Sequence, residues 1–563
     1  MFDAIVVGSG MSGGIAAKEL CERGLKTLVI ERGRKLEHGA SYTDSLQPWE
    51  VPNGGGIPEE ELARDYPIQR QCYAVSTATQ QYWVKDSEHP YETPEGKPFS
   101  WIRGYHLGGR SIMWGRQTYR MSEMDLQANA LDGHGADWPI RYADLAPWYD
   151  HVERFIGVSG SREGLDQLPD GEFLPAMPMN DAEKMFKAKV EQAFPDRKVI
   201  IGRCAHLTET RPHHEELGRN PCQYRSLCER GCSYGAYHSS LSSSLPAAER
   251  TGNLTIVTDS IVHSVITDPK TGKATGVRVI DQNTREARTY DARIVFLCAS
   301  TIGTAQILLN SRSDKNPRGL ANSSDMVGRN LMDHIYGVGV SGTVQGPDTY
   351  YRGRRPNGLY IPRFYNLPGK QSEVDFIRGF GFQGAMQRVN WRQMATSQPG
   401  IGEELKARVR KPGPWMAFFG GFGEMLPNPD NRVTLHASKV DKWGIPLVNI
   451  DCTHGENEKK IVSRILVDGK AMLEAVGATN IQVREKINPP GLGIHEMGTA
   501  CMGKDPRNSV LNAYNQAHDV PNLFITDGAA MASSGCQNPS LTYMALSARA
   551  AFHASEFMKA GTI

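Results

Sequence analysis

The strongest constraint on this chain lies at its start. Ala4-Ile5-Val6-Val7 is an unbroken apolar run, and Gly8-Ser9-Gly10-Met11-Ser12-Gly13 follows it. Small and apolar residues then recur at helical spacing from Ser12 to Arg23, and a second run, Lys26 to Ile30, ends on Glu31. A short all-apolar run is how a parallel strand covered on both faces reads. The segment therefore predicts strand, glycine turn, helix and strand, a βαβ unit. In such a unit GxGxxG permits a tight turn and close approach of a pyrophosphate to the helix N-terminus, and an acidic residue about 20 positions on accepts from ribose hydroxyls. Gly8, Gly10, Met11, Ser12, Gly13, Glu31 and Arg32 are candidate dinucleotide contacts; a glycine turn serving packing alone is the plainer alternative. No second complete GxGxxG unit follows, which favours a flavin held in place over a nicotinamide cofactor that comes and goes.

Composition narrows the class further. The chain has 563 residues, with 39% hydrophobic and 22% charged, which is globular rather than disordered. Lys+Arg 63 against Asp+Glu 62 leaves +1, which argues against a surface dedicated to nucleic acid. No apolar run reaches the roughly 18 residues of a membrane span. The opening strand pattern has no basic region or cleavage site before it, so no signal peptide is expected. Ten cysteines in this length do not make a disulfide scaffold.

Along the chain, residues 34–100 read as excursion and loops, and 136–200 as helical. Residues 201–235 read as loop, and short strands begin at Leu254. Ile294-Val295-Phe296-Leu297-Cys298-Ala299 is another buried strand, leading into an apolar helix from Ala305 to Leu309. Residues 335–450 carry alternating strands, including Arg432–Leu435 and Leu447–Ile450, followed by a helix over 456–477 and a strand from Asn480 to Arg484. Leu523-Phe524-Ile525-Thr526 ends on Asp527-Gly528, and Asn538-Pro539-Ser540 opens a long helix, with Pro539 where its missing N–H costs nothing.

Taken in order, the N-terminal fingerprint, the Gly108-Gly109 stretch, His495-Glu496-Met497-Gly498-Thr499-Ala500-Cys501-Met502-Gly503, Leu523–Gly528 and Asn538-Pro539 resemble the glucose-methanol-choline (GMC) oxidoreductases, a family of FAD enzymes. The resemblance implies an α/β chain with a Rossmann-like FAD-binding domain assembled from residues 1–40, 100–130, 201–334 and 491–563. It also implies an α+β substrate domain with an antiparallel sheet, from 41–99, 131–200 and 335–490. It places the catalytic histidine on His495 and the second active-site position on Asn538. FAD contacts fall on Gly108, Gly109, Ser111, Met113, Trp114, Gly115, Val262, Ala299, Asp527, Gly528, Asn538 and Pro539. Members that tether the flavin do so through a histidine where this chain has Met113, so FAD is expected to be non-covalent. The chemistry expected is removal of an alcohol proton by His495 while the carbon passes hydride to the flavin, with Asn538 holding the same oxygen. Glu496 reads as a packing or orientation residue rather than a base.

Cys222, Cys228 and Cys232 form C-x5-C-x3-C within a 204–235 loop. Three soft thiolates suit a [3Fe–4S] cluster, one per iron. Zinc completed by Cys204, His213 or His214 is an alternative, as are three structural thiols. The spacing resembles that of the bacterial iron–sulfur sugar dehydrogenases of the family. That branch implies oxidation of a sugar alcohol, as in a glucoside 3-dehydrogenase making a 3-keto product, with electrons leaving to a cytochrome c. It also implies a small export subunit carrying the chain to the periplasm. Oxidation of glucose at C1, and an oxidase using O2, are the other readings; without a partner subunit the location would be cytoplasmic.

Overall fold

The computed structural model describes residues 1–349, 355–370, 372–390, 393–395 and 400–563. Its first layer is a seven-stranded sheet. Phe2–Val7 lies between Thr27–Ile30 and the C-terminal half of Ala287–Leu297, parallel to both, with Ile5 opposite Leu28 and Val295. Leu254–Val257 and Leu523–Ile525 extend this parallel core at its two sides. The N-terminal half of Ala287–Leu297 leaves the parallel core and pairs antiparallel with Ala274–Asp281, which pairs with Ser260–Thr267. One long strand thus serves two arrangements.

Helix Met11–Glu22 packs on helix Ser540–Lys559. Ala16, Ala17 and Leu20 of the first meet Ala550, Ala551 and Ala554 of the second in one buried cluster with Val6 and Phe296. Small side chains let the two helices and the sheet approach closely. The parallel strands all end on one side, where Gly8, Glu31, Cys298 and Asp527 follow them and line a common cavity. Ligands of open parallel sheets bind at this position, outside the carboxyl ends of the strands.

The second layer is a six-stranded antiparallel sheet in the order Thr479–Arg484, Gly339–Val344, Trp415–Gly423, Phe380–Arg388, Leu359–Ile361, Ile200–Ile201. Helices Glu456–Ala475 and Asp181–Ala193 cover one face. Their core joins Ile461, Ile465 and Phe186 to Val340, Phe382 and Phe419. Because strand side chains alternate, Gln383 and Phe422, out of phase with Phe382 and Phe419, turn to the other face, towards the cavity.

Two readings of local structure change. The 136–200 stretch is helical only over Tyr142–Ile156 and Asp181–Ala193. Between them Gly157, Gly160, Pro169, Gly171 and Pro175 interrupt the pattern, and two short parallel strands form, Val158–Ser159 and Phe173–Leu174. Arg432–Val440 and Pro446–Asp451 form a two-stranded sheet of their own, joined to the rest by isolated bridges from Arg432 to Arg329 and from Asn449 to Glu92. Val433, Val448 and Ile450 bury with Ile5 and Leu297 rather than under the six-stranded sheet.

The turn after the first strand tolerates side chains unequally. A Cβ at Gly13 would lie 1.9 Å from the Gly8 carbonyl oxygen, whereas one at Gly10 meets nothing within 4 Å. Gly13→Ala is therefore expected to destabilise the apoprotein by about 2 kcal/mol or more, and Gly10→Ala to leave its melting temperature nearly unchanged. Thermal denaturation of the two variants checks this; equal melting temperatures would contradict the packing described.

Candidate active site

The cavity has a volume of about 530 Å³, within the range of small-molecule and cofactor sites. One end is built on the glycine turn. Gly10 caps helix Met11–Glu22 without any side-chain hydrogen bond, so the first N–H groups of the helix are left for a ligand. Glu31 is buried there. It accepts from Ser9 N–H at 3.2 Å, Ser9 Oγ–H at 2.6 Å and Gly33 N–H at 2.9 Å. Burial pushes its carboxyl above the usual carboxylate range. A Cβ-free approach at Gly10, uncapped amides and an acid beyond the next strand fit a dinucleotide.

Gly8, Gly10, Met11, Ser12, Glu31 and Arg32 line the cavity, and Gly13 lies behind them. From the 108–115 stretch, Gly109, Ser111, Met113, Trp114 and Gly115 also line it. Gly108 lies outside the lining, where its N–H donates to Ser9 Oγ at 2.9 Å. Val262, Ala299, Asp527, Gly528, Asn538 and Pro539 complete the set. Asp527 accepts from Thr304 Oγ–H at 2.6 Å and from Ala529 N–H at 2.9 Å, and burial lifts its carboxyl to about 6.

His495 and Asn538 stand together at the other end. Asn538 Nδ2 is 3.3 Å from His495 Nε2, and both residues line the cavity. The geometry also recruits residues that the sequence reading did not single out. Gln383 Nε2–H donates to Asn538 Oδ1 at 2.5 Å. His334 Nδ1 lies 2.8 Å from His495 Nδ1, with the two rings nearly perpendicular. The Phe422 ring lies 6.1 Å from the His495 ring. Burial, then His334 and Arg110, hold the His495 imidazole well below the usual histidine range, so it is neutral. Glu496 pairs with Arg110, at 2.7 Å and 3.2 Å, and its carbonyl accepts from Thr301 and Tyr543.

Asp333 sets the position of the histidine loop. One carboxylate oxygen accepts from Gly491 N–H at 2.7 Å and Gly493 N–H at 2.9 Å, and the other from His495 N–H at 3.1 Å. Burial and the neighbouring Glu496 push this carboxyl up to about 7.

Cys222, Cys228 and Cys232 lie elsewhere, around a separate small cavity of about 20 Å³ that His206 also lines. Cys228 Sγ is 3.8 Å from His206 Nε2, and the Tyr224 N–H donates to Cys222 Sγ at 3.5 Å. Cys204, His213 and His214 are not in that lining. Cys204 is buried beside Ser159, and His213 and His214 contact Arg154 and Arg211. No three His, Cys, Asp or Glu side chains among the described residues have the spacing of a metal site. The two cavities adjoin: Glu229 lines the large one and its neighbour Cys228 the small one, while Pro356 lines both.

Family models of the GMC oxidoreductases match residues 2–336 and 427–547. The chain is a GMC oxidoreductase, a family of FAD-dependent enzymes acting on CH–OH donors. Fructose dehydrogenase large subunit from Gluconobacter japonicus is 27% identical, over 98% of this chain and 97% of that protein. 2-Methyl-1,2-propanediol dehydrogenase from Mycolicibacterium austroafricanum is 29% identical, over 97% and 94%. The fold is shared with the crystal structure of pyridoxine 4-oxidase from Mesorbium loti, at TM-score 0.59 and 18% identity over 98% of both chains.

His334, Asp333 and Gln383 lie outside the motifs read from the sequence. Only the alternation of Phe380, Phe382 and Gln383 within one strand marked the last as turned away from the core. An Asp333→Asn variant would point an NH2 group at backbone N–H donors, and is expected to cost about 1–3 kcal/mol. Because the folded carboxyl titrates near 7 and its unfolded value is 3.8, its contribution to stability is present at low pH and is lost as pH rises through about 7. The variant cannot titrate. The stability gap between wild type and variant should narrow from about pH 5 to about pH 8; denaturant unfolding at both values checks it, and a gap that widens would contradict the assignment.

Proposed function

We propose that this chain is an FAD-dependent dehydrogenase of a carbohydrate alcohol, the C3 hydroxyl of a glucoside or disaccharide becoming a 3-keto group. The convergence of His495 Nε2 and Asn538 Nδ2 at one end of the cavity that begins at the glycine turn carries this reading. FAD would be held non-covalently by the Gly8–Ser12 turn, Glu31, the 109–115 stretch and the Asp527-Gly528 segment, with Met113 where a tethering histidine would stand. When bound, the flavin supplies the two-electron acceptor for the carbinol hydride.

The residues of the chain do the rest. His495, neutral and enclosed, takes the hydroxyl proton on Nε2. Asn538 Nδ2–H donates to the same oxygen and steadies the charge it gains. Arg110, paired with Glu496, places a cation beside the site. Phe422 and Tyr336 offer flat apolar faces, and Gln383 an amide, as a pocket selective for a polyhydroxylated ring requires. Fructose dehydrogenase among the relatives supports a sugar substrate.

The same reading assigns Cys222, Cys228 and Cys232 to a [3Fe–4S] cluster, whose chemistry when bound is one-electron relay to an external acceptor such as a cytochrome c. Three thiols on one cavity next to the main one favour it. That cavity has the room of about one water, so loading requires the loop to part. A relative named as a large subunit supports a complex with a small partner, through which the chain would reach the periplasm.

Four outcomes are expected. His495→Ala should retain FAD and slow anaerobic flavin reduction by about 10²–10⁴-fold; unchanged reduction would remove the proposed base. With its imidazole held below the usual histidine range, wild-type reduction should stay level as pH falls through about 6.5 and decline only below it. Anaerobically purified protein should contain about three irons per chain. Cys228→Ser should spare flavin reduction and slow electron exit. Absent iron, with stoichiometric peroxide from substrate, would select an oxidase, and mapping the product tests the C3 position.

A further inference from the structure

Two imidazoles meet nitrogen to nitrogen beside the cavity, and such a contact is a hydrogen bond only if one nitrogen carries hydrogen and the other is bare. His334 is buried, and its Nε2 is 2.8 Å from the Gly535 carbonyl oxygen, which can only accept. Nε2 of His334 therefore bears the hydrogen. Burial holds the ring below the usual histidine range, so it is neutral and carries just one, and its Nδ1 is bare. The 2.8 Å contact must then be donated by His495 Nδ1–H. It follows that His495 Nε2 is bare, on the side that faces Asn538.

The opposite end of the chain agrees. A bare Nε2 at 3.3 Å requires the Asn538 amide to present NH2 to it, which turns Oδ1 towards Gln383. Gln383 Nε2–H meets that oxygen at 2.5 Å. Each donor from Gln383 to Gly535 thus has an acceptor, and reversing any one link leaves two donors or two lone pairs in contact.

We propose that His334 is a positioning residue: anchored by the Gly535 carbonyl, it fixes His495 in the Nδ1–H form and keeps the bare Nε2 aimed at the substrate hydroxyl. This rests on the reading of His495 as the base. Without the acceptor at His334, the hydrogen of His495 would distribute over both ring nitrogens, and the form with Nε2–H cannot take the hydroxyl proton at Nε2.

Two variants test it in the FAD-loaded enzyme. His334→Asn sets a carbonyl oxygen near the place of Nδ1, and His334→Leu sets nothing there. With methyl glucoside as the probe, stopped-flow flavin reduction should fall about 10²-fold in His334→Leu, with the half-saturating concentration unchanged. It should stay within about threefold of wild type in His334→Asn. In protein labelled with 15N-histidine, the His495 signals, identified by their loss in His495→Gln, should show a protonated Nδ1 and a bare Nε2 in wild type and His334→Asn, and a mixture in His334→Leu. A wild-type His495 with hydrogen on Nε2 would overturn the proposal, as would a His334→Leu enzyme as fast as wild type or an asparagine variant as slow as the leucine one. If His495→Gln reduces flavin normally while the 15N pattern holds, it is the base assignment that fails and not the tautomer.

Discussion

Three backbone N–H groups closing on one carboxylate hold this site together. Gly491, Gly493 and His495 all donate to Asp333, which ties a glycine-rich turn to the segment that also carries His334. An isolated buried carboxylate is costly, and here the amide dipoles offset only part of that cost, which leaves the carboxyl raised to about 7. The His495 imidazole is thereby positioned by its own backbone and by the neighbouring side chain, both fixed from residues 333–334. Asn538 arrives independently, on the turn before the long helix Ser540–Lys559, and Gln383 from the six-stranded sheet. The site thus forms where the two layers meet, so its geometry depends on their packing as much as on any one loop.

Much of this is legible in the sequence because the chemistry of the turn is local. Ala4–Val7, the glycine spacing and Glu31 define strand, turn, helix and acid within one stretch, and the strands and cavity follow that reading. The long helix after Pro539 was equally visible. By contrast, His334 and Asp333 lie about 160 residues from the histidine they hold, and nothing in their own neighbourhood signals that contact. The 432–451 hairpin shows the same limit: its alternation marks strands but not which core they cover, and Val433 and Ile450 bury with the parallel sheet. The 136–200 stretch misled because apolar spacing persists across glycines and prolines that break the helix.

The cysteine loop is separated from the site and yet adjoins it. Arg116 lines the large cavity, is buried, and has a left-handed backbone, with φ of 59°. The nearby Glu229 favours its charge against the cost of burial. The Arg116 guanidinium works against the effect of burial on the Cys222 and Cys228 thiols, favouring negative charge there. Burial keeps the His495 imidazole neutral and raises the Cys222 and Cys228 thiols above their ordinary range.

The most direct measurement is a crystal structure of the FAD-loaded protein with a bound alcohol substrate or its ketone. The account predicts one substrate oxygen within about 3.2 Å of both His495 Nε2 and Asn538 Nδ2, with the cofactor pyrophosphate at the Gly8–Gly13 turn. An oxygen held away from that pair, or a pyrophosphate bound elsewhere, would contradict it.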